Sequence, residues 1–210
     1  MTAGLIGYGA LGRQVANLLG LAPDDYAVFD DLARGAGMEP PRAFGFSEYR
    51  AAEFASLDFY VCLGYKHRQR KLEILEELEA MGRRTPAFVH PSCFVNRTAE
   101  IGPGCILYPM CNIDQNVRLE RGVTLHNSVV VSHDSRVGAG SYVSPGAVLC
   151  GDTRVGARCF LGARTVVSNG VAIGDDSTVG IGTVVTRNLD SGSNAIGSPM
   201  RLLTRQLRLE

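Results

Sequence analysis

Residues 155–185 read VGARCF, LGARTV, VSNGVA, IGDDST, VGIGTV and a final V, a six-residue phrase that opens each time on an aliphatic residue. The phrase extends backward without a break. Stepping by six from Val89 through Val95, Ile101 and Leu107 to Val179 and Val185 meets only Val, Leu or Ile. Two residues before each of these stands a small residue, from Ala87, Cys93 and Ala99 to Ser177 and Thr183. An α-helix would need apolar residues at a spacing of about 3.6, and ordinary strands a period of about 2 broken by turns of varying length. A sustained hexad belongs instead to a parallel β-helix. Each hexad makes one flat side and one corner of a triangular coil, so 18 residues close a turn and neighbouring coils stack at roughly 4.8 Å. The aliphatic residue fills the interior, where burial is worth roughly 1.5 to 3 kcal/mol per side chain. Gly102, Gly138, Gly156, Gly162, Gly174 and Gly180 directly follow the aliphatic position. They are expected where a corner demands backbone angles that a Cβ disfavours.

Composition agrees with a long, narrow core. The 210 residues include 25 glycines and no tryptophan, and 45% are hydrophobic. Twenty-one basic side chains balance 21 acidic ones, which argues against a nucleic-acid surface. No run approaches the 18 or so apolar residues of a membrane span, and Met1 leads directly into an apolar strand with no basic leader, so a cytoplasmic location is expected.

Residues 1–84 follow other rules. AGLIGYG reads as a strand entering a glycine turn, LGRQVANLLG as a short helix, YAVFDD and LDFYVCLG as further strands, and HRQRKLEILEELEAMG as a helix closed by Gly82. This βαβ pattern predicts an α/β, Rossmann-like domain. Gly7, Gly9 and Gly12 form GxGxxG, with Asp30 about 20 residues on. The segment is half the size of a full dinucleotide fold, so a mononucleotide or nucleotide-sugar diphosphate on the helix N-terminus is the better reading than NAD. The expected organisation is therefore residues 1–84 as a nucleotide-sugar-binding domain, 85–189 as the β-helix, and 190–210 as a cap and tail.

The hexads IGPGCI, VGARCF, LGARTV and VGIGTV resemble those of the hexapeptide-repeat acyltransferases. That resemblance implies a left-handed parallel β-helix and a homotrimer with acyl-CoA sites between subunits. With GYGALGRQVANLL, FDD and CLG in front, the chain is similar end to end to sugar acetyltransferases of the nucleotide-amino-sugar N-acetyltransferase and sialic acid O-acetyltransferase group. The implied activity is transfer of an acetyl group from acetyl-CoA to the amine of a nucleotide-linked amino sugar. O-acetylation of a sugar, or nucleotide-sugar binding without catalysis, are the alternatives. The resemblance places Gly9, Ala10, Leu11, Asp30 and Asp31 around the nucleotide sugar, with Gly64 and Tyr65 nearby. Ala10 and Leu11 depart from the family's usual GxGGH turn. Gly197–Ser198–Pro199–Met200–Arg201 resembles the family's GNPAK loop near CoA, although a plain capping turn explains it equally well.

Of four histidines, His67 begins a polar helix, and His90 and His126 directly follow aliphatic positions and suit corner lining. His133 stands two residues after Val131, pointing outward, with Asp134 next to it. An imidazole beside a carboxylate can be oriented and made more basic, as a general base requires. Adding 18 to 133 gives Gly151, so the neighbouring coil leaves a gap beside the ring. A thioester could lie there with a backbone N–H for the oxyanion. The family's catalytic dipeptide is HE or HD in this hexad, which implies His133 as proton acceptor and Asp134 as its support. Tyr142 stands nine residues later, where relatives carry a second, CoA-contacting histidine. Gly151, Ala163 and Ile181 match positions where the family's backbone meets CoA. Cys93, Cys105, Cys111 and Cys159 occupy the small inward position and are read as packing residues. Cys93 and Cys111 are 18 apart and could be bridged, but a reducing compartment argues against it. No cysteine or histidine spacing suits a metal.

Overall fold

The computed structural model describes residues 1–33 and 42–204; the loop after Asp31 and the last six residues of the expected tail therefore fall partly or wholly outside the described residues. The chain divides into two compact units, Met1–Phe88 and Val89–Glu210.

In the first unit, β1 (Ala3–Ile6), β2 (Tyr26–Phe29), β3 (Ala43–Phe44) and β4 (Asp58–Val61) pair in parallel in the order β3-β2-β1-β4. The sequence reading missed β3, because two residues are too few to show a period. Helix α1 (Ala10–Leu18) follows β1, and α2 (Arg68–Ala80) follows β4 and ends before Gly82, whose φ is +67°. Leu5, Ile6, Val28, Phe29, Phe59 and Val61 are all fully buried, as strands covered on both sides require. A Cβ at Gly12 would overlap the Gly7 carbonyl oxygen, so the third glycine lets α1 pack against the turn.

In the second unit, short strands, of two residues as far as Val185, stack into three sheets of eight, six and five strands, parallel except for the last pair of the first. The first face includes Thr124–Leu125 and Tyr142–Val143, the second Val130–Val131 and Val148–Leu149, the third Arg136–Val137 and Arg154–Val155. Leu125 pairs with Val143, Val131 with Leu149 and Val137 with Val155, a register of 18 throughout. From Leu107 to Val185 every aliphatic hexad position is buried, whereas Val89, Val95 and Ile101 in the first coil are partly covered. The hexad ends earlier than residue 190: Ile173 bridges Leu189 and Thr178 pairs with Asn194, a register of 16. Asn194–Ile196 and Arg201–Leu202 then form an antiparallel pair across the GSPM turn, with a cis Ser198–Pro199 peptide, at the edge of the first face.

Two expectations about the coil need correcting. Left-handed backbone angles fall at the third residue after the aliphatic one, where Met110, Asn116, Ser128, Asp134, Asp152, Arg158, Arg164 and Asp176 all have φ between 53° and 65°. Glycines fill the same place at Gly104, Gly122 and Gly140. The glycines directly after the aliphatic residue are needed for another reason. A Cβ on Gly138 would lie 2.6 Å from the Ala157 nitrogen, and one on Gly162 would lie 2.6 Å from the Ile181 nitrogen. They permit one coil's backbone to approach the next.

The small inward position does more than pack. Cys93 Sγ donates to the Tyr108 carbonyl at 3.0 Å, Cys111 Sγ to His126 at 3.1 Å, Ser135 Oγ to Cys150 at 3.1 Å and Ser141 Oγ to Gly156 at 2.7 Å. Each bond reaches 15 residues ahead and satisfies a corner carbonyl of the next coil. The cysteines are free thiols, and burial pushes Cys111 up to about 12 and Cys159 to about 11. Ser141 also accepts from the Cys159 N–H at 2.9 Å, and both residues are fully buried. Ser141→Ala should therefore cost about 1 to 3 kcal/mol by orphaning a carbonyl and an N–H. Ser141→Cys, which restores a donor, should cost less; the shift in urea midpoint measures both.

Candidate active site

The corner between the second and third faces carries Ser132, His133 and Asp134. Val131 is fully buried and anchors the hexad, so the side chain two residues on leaves the prism; His133 is 52% exposed. Asp134 occupies the left-handed turn position with φ 60°, and its N–H donates to the Gln115 carbonyl at 3.0 Å. The turn brings the two side chains together: His133 Nδ1 lies 2.9 Å from Asp134 Oδ2. The other carboxylate oxygen accepts from Asn116 Nδ2 at 2.9 Å. The Asn116 amide first, and His133 second, hold the Asp134 carboxyl below the usual carboxylate range. Sequence reasoning missed Asn116, although 18 subtracted from 134 points to it.

Gly151 is one coil above His133, and the Asp152 N–H donates to the His133 carbonyl at 2.9 Å. A Cβ on Gly151 would lie 2.5 Å from both Cε1 and Nε2 of His133. The imidazole thus turns Nδ1 toward its carboxylate and Nε2 toward Gly151, which has no side chain. With Nδ1–H donated to Asp134, Nε2 holds the lone pair that can take a proton.

The other expected acyl-donor residues lie elsewhere. Tyr142 is on the first face, in a ladder of rings: Tyr108 stacks on His126 at 4.2 Å, His126 tilts against Tyr142 at 5.4 Å, and Tyr142 stacks on Phe160 at 5.9 Å. Burial lowers the basicity of His126, which suits a ring in a stack rather than an exposed base. His90 is taken up locally, with Nδ1 2.8 Å from Ser92 Oγ. Ala163 and Ile181 stack on the corner between the first and second faces, linked by the Gly182 N–H to the Ala163 carbonyl at 2.8 Å. They flank the second face on the opposite edge from His133, so one chain does not bring them to it. Ala163, Ile181 and Gly151 share one hexad position, the second after the aliphatic residue. At that position the backbone N–H points out of the corner: Ala139 donates to Glu120 Oε2 at 2.9 Å and Ala157 to Asp175 Oδ1 at 2.8 Å. Position alone makes such N–H groups donors to oxygen outside the prism.

In the first unit, Gly9 caps α1 and Gly64 precedes the turn Tyr65–His67, so both glycines sit at the carboxyl ends of the adjacent strands β1 and β4. An added Cβ at either would meet nothing within 4 Å. Because the chain leaves β1 for β2 on one side and β4 lies on the other, these ends flank the point where strand order reverses, the usual place for a ligand crevice. Ala10 is exposed at the first turn of α1, while the Leu11 side chain is buried and can offer only its backbone. Asp30 is spent on its own loop: Oδ2 accepts from the Tyr8 N–H at 2.6 Å and Oδ1 from Leu32 at 2.9 Å and Ala33 at 3.3 Å. Asp31 is exposed, and its Oδ1 accepts from the Phe46 N–H at 2.8 Å.

A family model described as the GMPPB C-terminal domain matches residues 89–190. No curated protein matches the chain. Among solved structures, the acetyltransferase domain of PglB from Neisseria gonorrhoeae FA1090 is 26% identical with a TM-score of 0.87, over 96% of this chain and 99% of that one. PerB from Caulobacter crescentus, solved with CoA and GDP-perosamine, is 25% identical with a TM-score of 0.85, over 97% of each chain. WeeI from Acinetobacter baumannii AYE shares the fold, at 21% identity and a TM-score of 0.87, over 97% of this chain and all of that one. The parallel coil matches a left-handed β-helix. From end to end, and on a hexad legible in the residues themselves, the chain is similar to these sugar acetyltransferases.

Proposed function

We propose that the chain transfers the acetyl group of acetyl-CoA to the amine of a nucleotide-linked amino sugar, with His133 as general base and Asp134 orienting it. The observation that carries this is the imidazole with Nδ1 2.9 Å from Asp134 and Nε2 facing the notch at Gly151. In support, PglB's acetyltransferase domain has been solved with acetyl coenzyme A, and PerB with CoA and GDP-perosamine.

The amine nitrogen attacks the thioester carbonyl and its proton passes to His133 Nε2. The negative charge on the carbonyl oxygen is met by an outward backbone N–H, for which Gly151 is placed. As the C–S bond breaks, the proton moves from Nε2 to the departing sulfur, leaving amide, free thiol and neutral imidazole. Asp134 stays ionised throughout, since Asn116 and His133 hold its carboxyl low.

Acetyl-CoA is read as lying along the N–H groups of Ala163 and Ile181, with Tyr142 replacing the family's second histidine. Because those residues and His133 flank opposite edges of the second face, a site using both needs two chains. That face carries Val130, Val148, Val166 and Val184 in one partly covered column, and Ile181 beside it is 77% exposed. Apolar surface of this kind suits burial in a homotrimer. The first unit is read as a Rossmann-like, nucleotide-sugar-binding domain. The α1 N-terminus at Gly9, Ala10 and Leu11 takes the phosphates, Gly64 and Tyr65 flank them, and Asp31 faces the nucleoside, while Asp30 braces the turn. The six cysteines stand as free thiols and no described helix is long and apolar enough to cross a membrane, which supports a cytoplasmic location.

Incubation with acetyl-CoA and a set of UDP-, dTDP- and GDP-linked amino sugars should release thiol and add one acetyl group to an amine, read by mass spectrometry. Thiol release with hydroxy sugars alone would move the reading to O-acetylation, and tight binding of both ligands with no turnover would replace catalysis by binding. His133→Ala should keep its melting temperature and lose about 10² to 10⁴ in kcat. Gly151→Ala should also fold, because its Cβ meets an exposed ring rather than backbone, yet kcat should fall as the methyl displaces Nε2. Native kcat in either variant would refute the assignment.

A further inference from the structure

Asn116 is one coil below Asp134, and both stand at the left-handed turn position of the same corner, with φ of 57° and 60°. The Asn116 backbone is itself held. Its N–H donates to Thr98 Oγ1 at 2.9 Å, and the Thr98 hydroxyl donates in turn to Asn96 Oδ1 at 3.1 Å. From this fixed point the side-chain Nδ2 donates to Asp134 Oδ1 at 2.9 Å, leaving Oδ2 for His133 Nδ1 at 2.9 Å. Every donor and acceptor from Asn96 to the imidazole fits a single direction of donation, in which Nδ1–H is given to the Asp134 carboxylate.

A carboxylate held by one contact can rotate about its Cβ–Cγ bond and offer either oxygen to the ring. With Oδ1 occupied by the Asn116 amide, rotation is blocked and a single lone pair meets Nδ1. Charge matters as much as shape. Asp152, one coil above, places its Oδ1 3.6 Å from the Arg154 guanidinium, so it has its own cation. Asp134 has an amide below it. An acid at position 116 would set two carboxylates against each other and remove the donor, although Asp tolerates this turn angle as Asp134, Asp152 and Asp176 show. The choice of Asn at this rung therefore answers to Asp134 and not to the turn alone.

We infer that Asn116 is a positioning residue for the proposed base, locking the Asp134 carboxylate so that His133 is held as the Nδ1–H tautomer with Nε2 toward Gly151. This rests on the acetyltransferase reading for its consequence in turnover, but not for its consequence in the ring.

Two variants test it: Asn116→Gly, which accepts the turn angle and lacks the donor, and Asn116→Asp, which keeps size and turn tolerance but offers only acceptors. Melting curves should match the native chain. Long-range 1H–15N spectra of the histidine rings should show a single Nδ1–H tautomer for native neutral His133 and a mixture in both variants. In the acetyl-transfer assay, kcat should fall roughly three- to tenfold, the worth of one hydrogen bond, with KM for acetyl-CoA unchanged. Asn116→Gly added to Asp134→Ala should cost nothing more, because the two act in series. An unchanged tautomer in both variants, or a loss that simply adds to that of Asp134→Ala, would overturn the inference. If the native chain transfers no acetyl group, the functional proposal fails while the ring spectra still decide the role of Asn116.

Discussion

The register of 18 between stacked coils governs everything else in the second unit. Each two-residue strand is too short to hold itself, and it stands because its N–H and C=O groups pair with residues one coil away. Once that spacing is set, neighbours in space are found by addition: Asn116, Asp134 and Asp152 share one column, His133 and Gly151 another. The site is a consequence of this arithmetic. A histidine at an outward corner acquires a carboxylate from the next turn position and room for its ring over a glycine on the next coil.

Rigidity follows from the same constraint. Side chains inside the prism, such as Ser141 and Cys159, close hydrogen bonds between coils, and glycines such as Gly138 let the backbones come near enough for those bonds to form. On the proposed reading, a base carried on such a column needs little further ordering before reaction. It has to be met by the acyl donor from outside, and the donor's expected contacts at Ala163 and Ile181 are across the valine-lined face. On the proposed reading, a neighbouring copy covers the partly buried column from Val130 to Val184 and brings the two edges together.

Much of this was legible in the residues because the hexad carries its own ruler. The coil, its interior, the outward His133 with Asp134 and the gap at Gly151 all came from counting. What escaped was chemistry that residue type does not display. Left-handed turns were expected at glycines after the aliphatic position, yet Met110, Arg158 and Arg164 adopt them two residues further on, held by stacking rather than by intrinsic preference. Cysteines read as small hydrophobes also donate to carbonyls. In the first unit GxGxxG marks the turn before α1, and the Asp30 carboxylate, expected at a substrate, also accepts from the N–H groups of Tyr8, Leu32 and Ala33, bonds that residue type does not display. Strand β3 was too short to be read at all.

Crystals grown with acetyl-CoA and diffracted to a resolution that places the thioester offer the most direct test. The carbonyl carbon should lie beside Gly151 with His133 Nε2 of one chain facing it, while the pantetheine follows Ala163 and Ile181 of another. An acyl donor bound along a single chain, or at a distance from every His133, would contradict a base that works at the junction of two columns.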